Sequence, residues 1–303
     1  MCAFASNLSS ASDIDQDLVR NFIEGCSGIK CLAIFIHDGT RTRQGFYALF
    51  SSLQALEHLS ILVTWHDGHI RRDLADYICT ATTQRLSISK VTRIDIGDPF
   101  DEQDGTASFT SLDVEEFRGD NATMARLIRW PKQLRDFRIG HVDRTQSNID
   151  LNLLGEGLLS HVDNLETICI SDLTQAGTIL DVTKFTKLKT LNLCIFYFPD
   201  RLDTPAADIS RLLAPKLETF TWDFRNSTYE PGHHFEEEQD QWLRQFAKAA
   251  ASKPTPLKNI NLVFETNWPL RVTDDERADL LGVKDHCRQL NIELKIHPPS
   301  LNQ

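Results

Sequence analysis

Nowhere does the sequence carry 18 consecutive apolar residues, and its start, Met1-Cys2-Ala3-Phe4-Ala5-Ser6, has neither a basic lead nor a hydrophobic run. A membrane-spanning helix and a secretory leader both need what is missing here, so the expectation is a cytoplasmic or nuclear chain with no membrane partner. Positive charge is also scarce: 32 Lys and Arg against 43 Asp and Glu leave −11 over 303 residues. Such a surface repels a phosphate backbone, and no nucleic-acid partner is expected. The seven cysteines (Cys2, Cys26, Cys31, Cys79, Cys169, Cys194, Cys287) are odd in number and scattered among apolar neighbours, which fits buried thiols better than a disulfide framework. No catalytic motif is found, so neither an enzymatic activity nor a cofactor is expected. What the chain does have is 41% hydrophobic residues, enough to bury a core.

Those residues are arranged in repeats. Cys31-Leu32-Ala33-Ile34-Phe35-Ile36-His37-Asp38-Gly39, moved 29 residues along, falls on Ser60-Ile61-Leu62-Val63-Thr64-Trp65-His66-Asp67-Gly68. Both are short apolar strands closed by a turn in which Gly accepts positive φ cheaply. Similar strands recur at Val91 to Ile96, Leu134 to Ile139, Leu165 to Ile170, Leu188 to Leu193, Leu217 to Trp222, Leu257 to Leu262 and Asn291 to Ile296. The pattern is L-x-x-L-x-L, cleanest in Leu188-Lys189-Thr190-Leu191-Asn192-Leu193. Between strands lie helical stripes, among them Ile14, Leu18, Phe22 and Cys26; Phe117, Met124, Leu127 and Ile128; and Phe235, Trp242, Phe246 and Ala249. Thr273-Asp274-Asp275-Glu276 reads as a capping box opening a helix through Leu280, Leu281 and Cys287. A strand-plus-helix unit cannot bury its own apolar face, so neighbours must stack and share a core.

The L-x-x-L-x-L strands resemble leucine-rich repeats. Phrases such as Trp130-Pro131-Lys132-Gln133-Leu134-Arg135-Asp136-Phe137 and Leu212-Leu213-Ala214-Pro215-Lys216-Leu217-Glu218-Thr219-Phe220 resemble the repeat region of fungal F-box proteins. That resemblance implies an α/β solenoid, a horseshoe of about nine irregular units with parallel strands on the concave face and helices on the convex one. It would run over 12–297 as one domain, with insertions at 98–120 and 223–236, a disordered segment at 1–11 and a tail at 298–303. The resemblance also implies a protein-protein interaction scaffold that recognises substrates for, or adapts them to, a ubiquitin ligase. Two departures stand out. The Asn or Cys that forms a ladder after each strand in standard repeats is replaced by Val142, Leu173, Phe196, Arg225 and Glu265, and no helical F-box opening on Leu-Pro is visible. A ligase adaptor would then be a partner only if an F-box is supplied elsewhere, and a stand-alone regulatory or assembly module is the alternative.

Strand residues between the leucines face outward, because side chains alternate with period two. The candidate partner-binding residues are accordingly Phe35, Thr64, Asp95, Arg138, Asn192, Thr221 and Asn261, in a column that also holds Cys169 and Lys295. One step further lie His37, His66 and Asp223, with Gly140, Cys194, Val263 and His297. A polar sheet of this kind suits a protein partner rather than small-molecule chemistry.

His37 and His66 fall on adjacent strands about 4.8 Å apart with Asp38 and Asp67 close by, which is all that a metal-dependent enzyme has in its favour. A metal needs three or four convergent ligands, so a duplicated turn is the plainer account. His233-His234 with Glu236-Glu237-Glu238 reads as an acidic helix start. From Gly97 to Asp120 eight acids stand against Arg118 alone, an exposed insertion by expectation, followed by Arg126, Arg129, Lys132, Arg135 and Arg138.

Overall fold

This computed structural model describes residues 2–5, 28–36, 53, 55–63, 69–70, 78–79, 83–90, 93–94, 104–140, 149–171, 180–194, 206–225, 235, 237–253, 255–264 and 274–297. They belong to two compact units, Met1–Ile149 with Glu156–His161, and Asp150–Gly155 with Val162–Gln303. Each is α/β with a parallel, open sheet.

The first unit contains β1 (Cys2–Ala5), β2 (Cys31–Ile36), β3 (His58–Val63), β4 (His69–Ile70), β5 (Arg85–Ser89), β6 (Arg93–Ile94), β7 (Ser111–Glu115), α1 (Asn121–Arg129) and β8 (Asp136–Gly140). Its sheet runs β1-β2-β3-β5-β7-β8, with β4 and β6 paired separately. Cα partners along that sheet are 29, 27, 27, 26 and 25 residues apart. Those offsets are far more even than the strand spacings read from sequence.

The evenness comes from two strands that the sequence reading passes over. Val91-Thr92-Arg93-Ile94-Asp95-Ile96 carries the L-x-x-L-x-L pattern, yet its described residues, Arg93–Ile94, pair outside the main sheet. The places beside β3 and β8 go instead to β5 and β7, where Leu86, Ile88, Leu112 and Val114 are all at most 1% exposed. Their first apolar slot is filled by Thr83 and Phe109, so the leucine signature is broken there, while the slot itself stays buried. The expected acidic insertion is therefore corrected over 104–120: Ala107, Phe109, Leu112, Val114 and Phe117 are core, while Asp104, Gly105, Thr106, Ser108, Glu115 and Asp120 are exposed. The expected pairing of Cys31 with Ser60 is also corrected, to Cys31 with His58. A slip of two residues preserves which side chains face the core, whereas a slip of one would invert them. Finally, within the segment expected to be disordered, Cys2–Ala5 is a strand paired with β2.

At the entries of β3, β5, β7 and β8, and of three strands of the second unit, one carbonyl accepts two N–H groups from the next repeat. Lys30 O accepts from Glu57 and His58, Glu57 O from Gln84 and Arg85, Gln84 O from Thr110 and Ser111, and Thr110 O from Arg135 and Asp136, at 2.7–3.1 Å. The second unit repeats this: Glu166 O serves Lys189 and Thr190, Lys189 O serves Glu218 and Thr219, and Glu218 O serves Lys258 and Asn259. A carbonyl has two lone pairs, so one acceptor satisfies two buried donors where the chain bends into the sheet. This backbone ladder needs no side chain, so no residue type marks it in the sequence.

After α2 (Leu151–Leu159), the second unit holds β9 (Thr167–Ile170), β10 (Thr190–Cys194), α3 (Ala206–Arg211), β11 (Thr219–Asp223), α4 (Glu237–Ser252), β12 (Asn259–Val263), α5 (Asp274–Gln289) and β13 (Glu293–His297). Its strands pair in chain order from β9 to β13. Of the stripe predicted around Trp242, Trp242 and Phe246 are buried on α4 together with Leu243, Ala247 and Ala250, Phe235 is buried ahead of the helix, and Ala249 is only half-buried. Trp242 lies 4.8 Å from Trp222 and 5.1 Å from Phe246, ring centre to ring centre, so β11 and α4 share an aromatic core. In α5 the buried stripe is Leu280, Val283 and Cys287; Leu281, expected to share it, is 61% exposed because it lies one residue round the helix.

One buried histidine joins two elements of the first unit. His161 is 3% exposed; its Nε2 donates to Ile128 O at 2.7 Å and its Nδ1 accepts from Leu134 N–H at 3.4 Å. That pairing requires the neutral ring, and burial pushes its pKa below the ordinary histidine value.

Two predictions follow from this packing. Leu112→Ala should cost about 2–5 kcal/mol in denaturant unfolding; a loss below about 1 kcal/mol would remove β7 from the core. Below pH 6.5 the unfolded chain binds a proton at His161 that the folded chain refuses, so stability falls as pH drops through that value. His161→Gln should flatten that slope between about pH 6.5 and 5, measured as denaturation midpoints.

Candidate functional site

Outward positions of the sheet carry the polar side chains. In the second unit, register places Cys169, Asn192, Thr221, Asn261 and Lys295 in one continuous row over five strands, as the alternation implies. Asn192, Thr221 and Asn261, all predicted site residues, thus lie side by side and half-buried. Asn261 Nδ2 donates to Thr221 Oγ1 at 3.2 Å, and His297 Nε2 lies 3.3 Å from Asn261 Oδ1. Lys295 Nζ reaches Asn259 Oδ1 at 3.3 Å and Glu293 at 3.1 Å. Asn192 Oδ1 is buried and accepts no hydrogen bond among the described residues.

The next row is Cys194, Asp223, Val263 and His297. Asp223 is only 4% exposed, so it is not itself presented. It accepts from Arg225 Nε and from Arg225 Nη2 at 2.6 Å, and its Oδ1 also accepts the Arg225 backbone N–H. The Asp223 carboxylate holds the guanidinium pKa above its usual value, and what this position offers to solvent is Arg225. Sequence reasoning noted Arg225 only as a departure from the Asn ladder; the signal that could have found it is an Asp followed two residues later by Arg at a strand end.

In the first unit Arg138 is exposed and shares a row with Ala33, Ser60, Ser87 and Asp113. Phe35 does not join it: its row, two residues further along, is Leu62, Ser89, Glu115 and Gly140. His37, Thr64, His66 and Asp95 lie outside the described residues. Sequence reasoning also missed a polar cluster beside Arg138, because its strand β5 was not recognised. Here His58 Nε2 lies 2.9 Å from Ser87 Oγ, and Arg85 Nη2 donates to Asp113 at 3.0 Å. Burial lowers the His58 pKa and Arg85 lowers it further, against a smaller opposing pull from Asp113.

Chemically, both faces offer amide, hydroxyl, guanidinium and carboxylate groups for hydrogen bonding over an extended surface. No group of three or more His, Cys, Asp or Glu placed to hold a metal occurs among the described residues, and none of the described helices is long and apolar enough to cross a membrane. In comparison with known proteins, no family model matches the chain and no curated protein matches it.

The electrostatics of the β3–β5–β7 cluster are directly measurable. Arg85→Ala should raise the His58 pKa, by removing a cation and releasing Asp113, whereas Asp113→Asn should lower it further. NMR titration of the His58 ring checks both signs, and shifts in the opposite sense would contradict the arrangement.

Proposed function

We propose that this protein is a leucine-rich-repeat-type scaffold whose outward sheet face binds a folded protein partner. The observation that carries this reading is the unbroken row Cys169-Asn192-Thr221-Asn261-Lys295, set in register by five parallel strands. Side chains on neighbouring strands stand about 4.8 Å apart on a rigid support, so the face is pre-organised and loses little entropy when it is covered. Its carboxamides can both donate and accept. Arg225 beside this row, and Arg138 on the first unit's own outward face, fit the anchor role that arginine commonly takes at interfaces.

The solenoid architecture extends this proposal. The repeated L-x-x-L-x-L slots, the parallel neighbours and the strand-entry ladder all support stacked repeats in a concave sheet backed by helices. Resemblance to the repeat region of fungal F-box proteins supports substrate recognition for a ubiquitin ligase in the cytoplasm or nucleus, with the F-box supplied from outside these residues.

The test is partner capture with face variants. Arg138→Glu, and separately Asn192→Ala with Asn261→Ala, should weaken binding of the captured partner about tenfold or more while thermal melting stays near wild type. Partners retained equally by all variants would sink the proposal. Loss of a ligase adaptor alone, with the partner retained, would separate the ligase link from the binding face.

A further inference from the structure

The edge of the second unit's sheet has a character of its own. Among the described residues no strand pairs with the outer side of β13, while α5 packs against it. Together they bound a groove of about 680 Å³ lined by Lys284 and Arg288 of α5 and by Asn291 through His297. On its inner side β13 spends the backbone groups of alternate residues: Glu293 N–H donates to Lys258 O at 2.8 Å, and His297 O accepts from Phe264 N–H at 3.1 Å. In a parallel pair such bonds recur at every second residue, so the N–H and C=O of Leu294 and Ile296 point away from β12 and into the groove side. An open row of this kind is a template for another extended chain.

Charge selects what kind of chain. In a protein of net −11, this groove is bordered by Lys284, Arg288 and Lys295 with His297, against Glu293. Glu293 is already held by Lys295 at 3.1 Å, and Arg288 meets Asp285 at 2.7 Å on the exposed helix surface. Lys284 has no ion pair among the described residues. Pro298-Pro299 follows immediately, and proline carries no N–H to continue a ladder, so the available edge is short.

We propose that this groove accepts a short, acidic, extended segment of a partner protein, added as a strand beside β13. Its main chain pairs with Leu294 and Ile296, and its carboxylates reach Lys284 and Arg288. This edge adjoins the outward face, whose row ends in Lys295, but Lys284 and Arg288 lie on α5 and belong to no row of that face, so variants at those two positions test the groove independently of the binding proposed there.

The experiment uses the full chain and a fluorescein-labelled peptide of alternating Glu and Val, with the Lys-Val peptide as control, read by anisotropy. The acidic peptide should bind, more weakly as salt rises, and Lys284→Glu with Arg288→Glu should weaken it about tenfold or more. Ile296→Pro removes only an outward N–H and should abolish binding. Because that variant could unfold, amide hydrogen exchange on the unaltered chain provides the second reading: Leu294 and Ile296 should gain protection when the peptide is added. Any of four results overturns the proposal: equal binding of the Lys-Val peptide, no binding of the Glu-Val peptide, binding without protection at those two amides, or self-association that Ile296→Pro abolishes, which would give the edge to a second copy.

Discussion

One carbonyl serving two N–H groups, repeated at seven strand entries, is the contact on which the rest of the structure depends. It sits where the chain turns from a connecting segment into the sheet, just where backbone donors would otherwise be left dry. Because Lys30, Glu57, Gln84 and Thr110 each hold two residues of the following repeat, they set where every next strand begins. Connections may then differ in length without disturbing the sheet: partners in the second unit are 23, 29, 40 and 34 residues apart, yet the register never slips. The side chains at these same positions add exposed ion pairs, Lys30 with Glu57 and Lys189 with Glu166, each at 2.6 Å. Exposed pairs contribute little to stability, so the backbone bonds dominate.

From that constraint the two faces of the sheet follow. Leu59, Leu86, Leu112, Leu191 and Phe220 all fall on the core side because each strand starts in phase, and their burial drives folding. The helices supply the other half of that core, with Phe109 against Trp130 in the first unit and Phe220 against Trp242 in the second. The polar side chains are left to the opposite side. There the same phase gathers Asn192, Thr221 and Asn261 into a row, and Ser60, Ser87, Asp113 and Arg138 into another. An edge strand and an outward face are different kinds of surface: one offers backbone groups, the other side chains. The chain presents both.

Much of the outward face was legible in the sequence. The row through Asn192, Thr221 and Asn261 came from period-two alternation and from strand starts marked by Leu188, Leu217 and Leu257. What was not legible failed for identifiable reasons. β5 begins after Thr83 and β7 after Phe109, neither of which looks like the leading leucine, while the nearby Val91 to Ile96 imitates the pattern and draws the eye. Missing β5 hid His58 with Ser87 and Arg85 with Asp113, since such pairs exist only across strands. Asp223 looked exposed by alternation, and is covered because Arg225 folds back over it.

By itself, then, the sequence determined periodicities: which residues alternate, which recur every third or fourth position, and hence an α/β chain of repeated units. These are local properties, dictated by the geometry of one strand or one helix. Tertiary structure decided register and membership. Cys31 pairs with His58 rather than Ser60, and β5 and β7 rather than Arg93–Ile94 enter the sheet. Both choices keep core residues on the core side, so alternation could not tell them apart. They were settled by hydrogen bonds and packing between residues some 25 to 29 positions apart, which no local pattern encodes.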